Sequence, residues 1–193
     1  MKTLLPLSLL LFILASCQKE AKVAPKTAPV STTNTTTTVV AAAKPDTIPD
    51  QTALKIKLVK DTNNYDETMF LFNHASTLDY SNAEDAPYFP GFGEESLASV
   101  TPDGQDLVIY NLPYTSGMSV KLDANMKNGG DFVLKISYIR NIPSNIQILL
   151  EDAYLKNTVD LRAGVCNFTV DKAKPASFGN ARFKIIFKDK GQQ

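Results

Sequence analysis

From residue 51 onward the hydrophobic positions fall in short runs of period two, with turn residues recurring every eight to twelve positions. That is the pattern of strands that bury one face and wet the other. Leu54, Ile56 and Leu58 alternate with Lys55 and Lys57, Cys166, Phe168 and Val170 alternate with Asn167 and Thr169, and Phe183, Ile185 and Phe187 close the series. Met69 to Phe72 is apolar on both sides, which predicts a strand in the middle of a sheet. Pro102-Asp103-Gly104 predicts a turn between Leu97–Val100 and Leu107–Tyr110, and Asn128-Gly129-Gly130 another before Phe132, Leu134, Ile136 and Tyr138. Asn141 to Asn145 precedes a further run at Ile146, Ile148 and Leu150. About nine or ten strands without an amphipathic helix predict an all-β fold. The expected architecture is an antiparallel two-sheet sandwich, jelly-roll or immunoglobulin-like, with a barrel left open.

The pattern before residue 51 is different. Met1-Lys2 is a short positive end, and Leu4 to Ala15 is an apolar run broken only by Pro6 and Ser8, too short to stay in a bilayer as a spanning helix. Residues 1–16 therefore read as a removable signal peptide. The run ends in Leu14-Ala15-Ser16-Cys17, which resembles the lipobox of bacterial lipoproteins. The resemblance implies a diacylglycerol thioether on Cys17, cleavage before it and acylation of the new amine. One acyl chain anchors marginally and two anchor stably, so it implies membrane attachment; an ordinary signal followed by a chance cysteine is the alternative. Gln18-Lys19-Glu20 is similar to the charged export tag behind the lipidated cysteine of Bacteroidota surface lipoproteins, which implies outward display on the outer membrane.

Residues 17–50 complete the segment between anchor and domain. Thr32 to Thr38 and Pro25, Pro29, Pro45 and Pro49 dominate it, with no hydrophobic period. Such a composition buries too little apolar surface to offset its ordering entropy, so a disordered tether reaching about 30 Å is expected. Thr47, in Asp46-Thr47-Ile48, resembles the Asp-Thr-aliphatic acceptor of Bacteroidota O-glycosylation, and a chance tripeptide is the alternative.

The domain, residues 51–193, carries a resemblance of its own. Asp66-Glu67-Thr68 leading into Phe70 and Phe72, Leu97-Ala98-Ser99 before Pro102-Asp103-Gly104-Gln105, Leu150-Glu151-Asp152, Val159-Asp160-Leu161, Phe168-Thr169 and Arg182-Phe183 are similar to the β-sandwich region near the C-termini of large Bacteroidota surface and secreted proteins. These are framework residues, so the resemblance implies a fold and a surface setting, and no catalytic residue.

Charge and composition narrow the chemistry. Lys plus Arg equals Asp plus Glu at 20 each, and without a basic stripe nucleic acid is not an expected partner. With Cys17 lipidated, Cys166 has no thiol to pair with, and its strand position makes it a core thiol. His74 is the sole histidine, with no nucleophile elbow to serve and too few soft ligands for zinc or iron. Gly91-Phe92-Gly93 lacks the third glycine and βαβ setting of a dinucleotide loop. Glu94-Glu95 and Glu151-Asp152 are adjacent, so on a strand their carboxylates face opposite sides. No enzyme is expected on this inventory.

Two features remain as candidate binding chemistry. Asp61, Asn63, Asn64 and Asp66, with Asp79, Asn82, Glu84 and Asp85 in the loop after the next strand, offer the oxygen ligands calcium prefers, although such residues also bond their own backbone in turns. The same long loop holds Tyr80, Tyr88, Phe89 and Phe92. Exposed, these rings would stack on a glycan or an envelope protein; folded down, they would cover one end of the domain. The expected function is a non-enzymatic, lipid-anchored binding or scaffolding module at the cell surface. The alternatives are a carboxylate-dependent glycoside hydrolase using Asp79, Glu84 or Asp85, and a structural subunit of an envelope complex.

Overall fold

The computed structural model describes residues 49, 51–91 and 93–191. Cys17, Gln18, Lys19, Glu20, Thr47 and Phe92, and with them the anchor, export tag and tether, lie outside the described residues. The strands in chain order are β1 (Thr52–Val59), β2 (Tyr65–Phe72), β3 (Ala86–Pro87), β4 (Glu95–Val100), β5 (Asp106–Leu112), β6 (Ser119–Met126), β7 (Gly130–Arg140), β8 (Ile146–Asp152), β9 (Asn157–Asp160), β10 (Cys166–Val170) and β11 (Gly179–Asp189), with one short 3₁₀ turn at Pro175–Ser177. The fold is all-β, and among the described residues no helix is long and apolar enough to cross a membrane.

Hydrogen bonding joins the strands into one mixed sheet in the order β10-β7-β1-β2-β5-β4-β6-β11-β8-β9, with β3 added beside β5. Every pairing is antiparallel except β2 with β5. The sheet curls nearly into a barrel around one core. The expectation of purely antiparallel pairing is therefore corrected at β2/β5, and the strand count rises to eleven. The parallel step arises because the chain leaves β2, crosses the long loop and a hairpin, and returns in the same direction.

Alternation decides which residues fill that core. Leu54, Ile56 and Leu58 of β1, Phe70 and Phe72 of β2, Leu122 and Ala124 of β6, Ile148 and Leu150 of β8, and Phe183, Ile185 and Phe187 of β11 are buried. Each large side chain contributes about 1.5–3 kcal/mol by leaving water. Rings meet across the interior: Phe187 lies edge-on to Phe72 at 5.0 Å and to Phe70 at 6.0 Å, and Phe168 of β10 meets Phe183 at 4.8 Å. Edge-to-face geometry sets the positive ring edge against the negative ring face.

Two irregularities redirect the pattern. Pairing of β7 with β1 shifts between Lys55 and Ile56, so Ile136 faces the core while Tyr138 turns outward beside Lys55 and is exposed. A bulge of this kind inserts one residue and turns the side chains beyond it to the opposite face. The expected Asn128-Gly129-Gly130 turn joins β6 to β7, which are not paired with one another, so it carries the chain between separate parts of the sheet and makes no hairpin. Gly129 is demanded there, since a Cβ would stand 2.9 Å from the carbonyl oxygen of Val170.

The free edges at β10 and at β8/β9 are tied by a buried ion pair. The Arg182 side chain is 0% exposed and donates to Asp152 through Nε at 3.1 Å and Nη2 at 2.8 Å. It also donates to the Thr169 carbonyl on β10 at 3.0 Å and to the Ser177 carbonyl. Asp152 Oδ1 accepts the amides of Tyr154 and Leu155 as well, and the rings of Phe168, Phe183 and Tyr154 surround the guanidinium at 4.6–5.1 Å. Every charged atom is thereby compensated, the condition for holding ions in a core.

Candidate functional site

The polar residues singled out around the first hairpin meet the end of the long loop in one cleft of about 370 Å³, lined by Asn63, Asn64, Tyr65, Asp66, Tyr88, Phe89, Gly93, Glu94 and Glu95. That size falls in the range of small-ligand sites, about 300–1,000 Å³. The cleft forms because three connections end together: the β1/β2 turn, the segment before β4, and the β6/β7 turn, whose Asn128 Nδ2 donates to Glu94 Oε2 at 3.0 Å and whose Lys127 amide donates to the Glu94 carbonyl at 2.7 Å.

Asp61 shapes the first wall. Its carboxylate accepts the amides of Asn63 at 2.9 Å and Asn64 at 3.0 Å and the Asn64 side-chain amide at 2.8 Å, and these bonds hold it below the usual carboxylate range. Asp66 forms the hinge between the walls. Its Oδ2 accepts the Tyr88 hydroxyl at 2.7 Å and the Leu97 amide at 2.9 Å, and Oδ1 accepts the Glu67 amide at 2.9 Å. Burial, and then the Asp66 carboxylate accepting its proton, push the Tyr88 phenol well above its ordinary value. Tyr88 is thus a fixed neutral donor that pins the loop to β2.

Glu95 sits deepest. Its side chain is 3% exposed, and burial raises its carboxyl above the ordinary glutamate value despite Lys60, whose Nζ stands 4.0 Å away. That separation lies beyond hydrogen-bond reach. At the lip, Phe89 is 77% exposed and Tyr65 49% exposed, with Lys57 Nζ 3.4 Å from the Tyr65 ring centre on one face.

The remaining expected residues part company. Tyr80 packs against the core and donates its amide to Asp103, while the buried Tyr110 hydroxyl donates to the Leu78 carbonyl and fastens the same loop. The long loop therefore neither opens all its aromatics nor buries them all: Tyr80 is folded down, Tyr88 is half-buried, and Phe89 stands out. Asp85 accepts the amides of Ser81 and Asn111, each at 2.8 Å, and Asp79 and Glu84 are exposed. Of the oxygen ligands considered for calcium, Asp61, Asp66 and Asp85 accept backbone amides, and among the described residues no group of three or more His, Cys, Asp or Glu side chains is placed to hold a metal ion. His74 is exposed in the turn after β2. Cys166 is buried, and burial raises its thiol.

Sequence reasoning did not single out Tyr65 as a site residue, and treated Glu95 only as one of an adjacent acidic pair. The signal for Glu95 was present in register: it opens β4, whose Leu97 and Ser99 face inward, so an acid two residues earlier on the same face is carried under cover. Asp106 on β5 and Asp123 on β6, the two strands that flank β4, are likewise raised by burial, Asp123 also by the charge of Asp106. No protein-family model, curated protein or solved structure matches this chain.

Proposed function

We propose that this chain is a lipid-anchored outer-membrane lipoprotein whose folded part is a non-enzymatic binding or scaffolding module displayed at the cell surface. The observation that carries the binding half is the position of the cleft. Gln51, where the chain joins the fold, precedes the start of β1, whereas Asn63, Asn64 and Tyr65 follow its end, a strand length of roughly 23 Å away. The cleft therefore lies at the end of β1 opposite the residue where the N-terminal segment enters the fold. The lipobox-like Leu14-Ala15-Ser16-Cys17 and the Thr/Pro-rich stretch behind it support the anchored half. The finer architecture, two layers of a sandwich, belongs to the same reading; its support is the facing of Phe70 and Phe72 on β2 against Phe187 on β11.

Mass spectrometry of the chain purified from its native membrane tests the anchor: a diacylglyceryl-modified N-terminal Cys17 is expected, and an unmodified thiol at that position overturns it. Presenting the full chain to a glycan array and to outer-membrane extracts tests the module. Retention of a defined component that is lost on Phe89→Ala supports it, and no retention of anything removes it.

A further inference from the structure

We infer that the cleft takes a cation on an apolar stem, namely an arginine or lysine side chain of a basic peptide segment, with Glu95 as the buried counter-ion. The inference rests on the cleft being the binding site of the module, and adds the chemistry of its occupant.

Three observations converge on that class. Among the described residues, the ionisable ones that line the cleft are Asp66, Glu94 and Glu95 together with two tyrosines, and none is a base. Asp66 is engaged by three donors that tie the walls of the cleft together, which leaves Glu94 at the rim and Glu95 at the floor as the less engaged acceptors. Glu95 is the second observation: a carboxylate almost wholly removed from water, supported by its own backbone amide and by a lysine 4.0 Å distant. A buried anion with so little hydrogen bonding gains from a donor delivered through the cleft. The third is the lip, where the exposed ring of Phe89, and the face of Tyr65 that Lys57 does not cover, offer apolar surface to a methylene stem and quadrupoles to its charge. Arg is favoured over Lys because a planar guanidinium both stacks on a ring and donates two parallel bonds to a carboxylate. A neutral sugar would use the rings and the Asn63 and Asn64 amides but would leave Glu95 without a counter-charge.

The test is calorimetric titration of the full chain with acetyl-Arg-Arg-Arg-amide, against the glutamine and glutamate tripeptides, fully deacetylated chitotriose and its neutral N-acetylated form. Binding of the arginine tripeptide is expected, with affinity reduced at least tenfold by Glu95→Gln and by Phe89→Ala and falling with added salt, while the glutamine peptide does not bind. Near the raised titration of Glu95, binding is expected to release protons, a readout that a general surface attraction would not move. Equal affinity in the Glu95→Gln protein, no binding of the arginine peptide, or preference for the deacetylated chitotriose overturns the peptide assignment. Should Glu95→Gln fail to fold, as judged by its thermal transition, Phe89→Ala with Glu94→Gln carries the same comparison at the exposed rim. If the glycan array or membrane extract shows Phe89-dependent retention while the arginine peptide does not bind, the module survives and this inference falls; if nothing is retained in either experiment, both fall.

Discussion

Arg182 at the seam and Glu95 in the cleft are both charged and both out of water, yet their surroundings differ in kind. Around Arg182 the donors are matched by Asp152 and by the carbonyls of Thr169 and Ser177, and three rings close over the pair. Around Glu95 the nearest cation among the described residues is 4.0 Å away, and the space beside it is a cleft. A satisfied buried charge is architecture, because its desolvation is offset within the fold and nothing is left to bind. An under-bonded one carries an interaction not yet made, and its raised titration is the mark of that deficit.

Breaking the seam has the largest expected effect. Asp152→Ala leaves the Arg182 guanidinium buried without its partner and is expected to cost about 3–5 kcal/mol, read as a shift in the urea midpoint. Adding Arg182→Met to that variant is expected to cost much less than the sum of the two single losses, since the two residues act as one unit. Additive losses would show that the pair is not coupled.

Tyr88→Phe sharpens the comparison at intermediate scale. It removes the hydroxyl from Asp66 but leaves that carboxylate the amides of Leu97 and Glu67, so about 1 kcal/mol is expected in the same urea experiment. A loss as large as that of Asp152→Ala would mean that the cleft wall is as integral to the fold as the seam.

Glu95→Gln gives the smallest change and the opposite sign. Burial raises the folded-state titration above the ordinary value of 4.5, so the native protein binds a proton that the unfolded chain has already released. Stability from this group is fully present below the ordinary value and is lost as pH rises through the folded one. The glutamine variant is therefore expected to be slightly more stable at pH 7, by under about 1 kcal/mol, because the Lys60 ammonium offsets part of the burial cost. That gain fades as the pH is lowered toward 4.5. Thermal midpoints of both proteins across that range check it, and a destabilised variant at pH 7 would show that the Lys60 attraction outweighs the burial.

Much of the fold was legible because burial follows period two. The runs at Leu54–Leu58, Cys166–Val170 and Phe183–Phe187 became β1, β10 and β11 with the expected inward faces, and Pro102-Asp103-Gly104 became the β4/β5 turn. Tyr138 escaped the pattern because the register shift opposite Lys55 and Ile56 is a property of two paired strands, which one strand's sequence does not carry. At the site, Asp61, Asn63, Asp66, Tyr88 and Phe89 were recognisable as chemically able residues. Their partners were not, because Asp66 meets Tyr88 across 22 positions and Leu97 across 31.

The amino-acid sequence alone determined that this domain is all-β, which alternating runs supply its interior, and that Leu14-Ala15-Ser16-Cys17 resembles a lipidation signal; those properties depend on local alternation and short motifs. Tertiary structure alone decided that one curled sheet closes through Arg182, and that Tyr65, Phe89 and Glu95 share a cleft at the end of β1 away from Gln51. Closure and convergence are set by which strands pair and in what register. That choice is made by the burial and hydrogen bonding of the whole sheet at once, so no single stretch of chain encodes it.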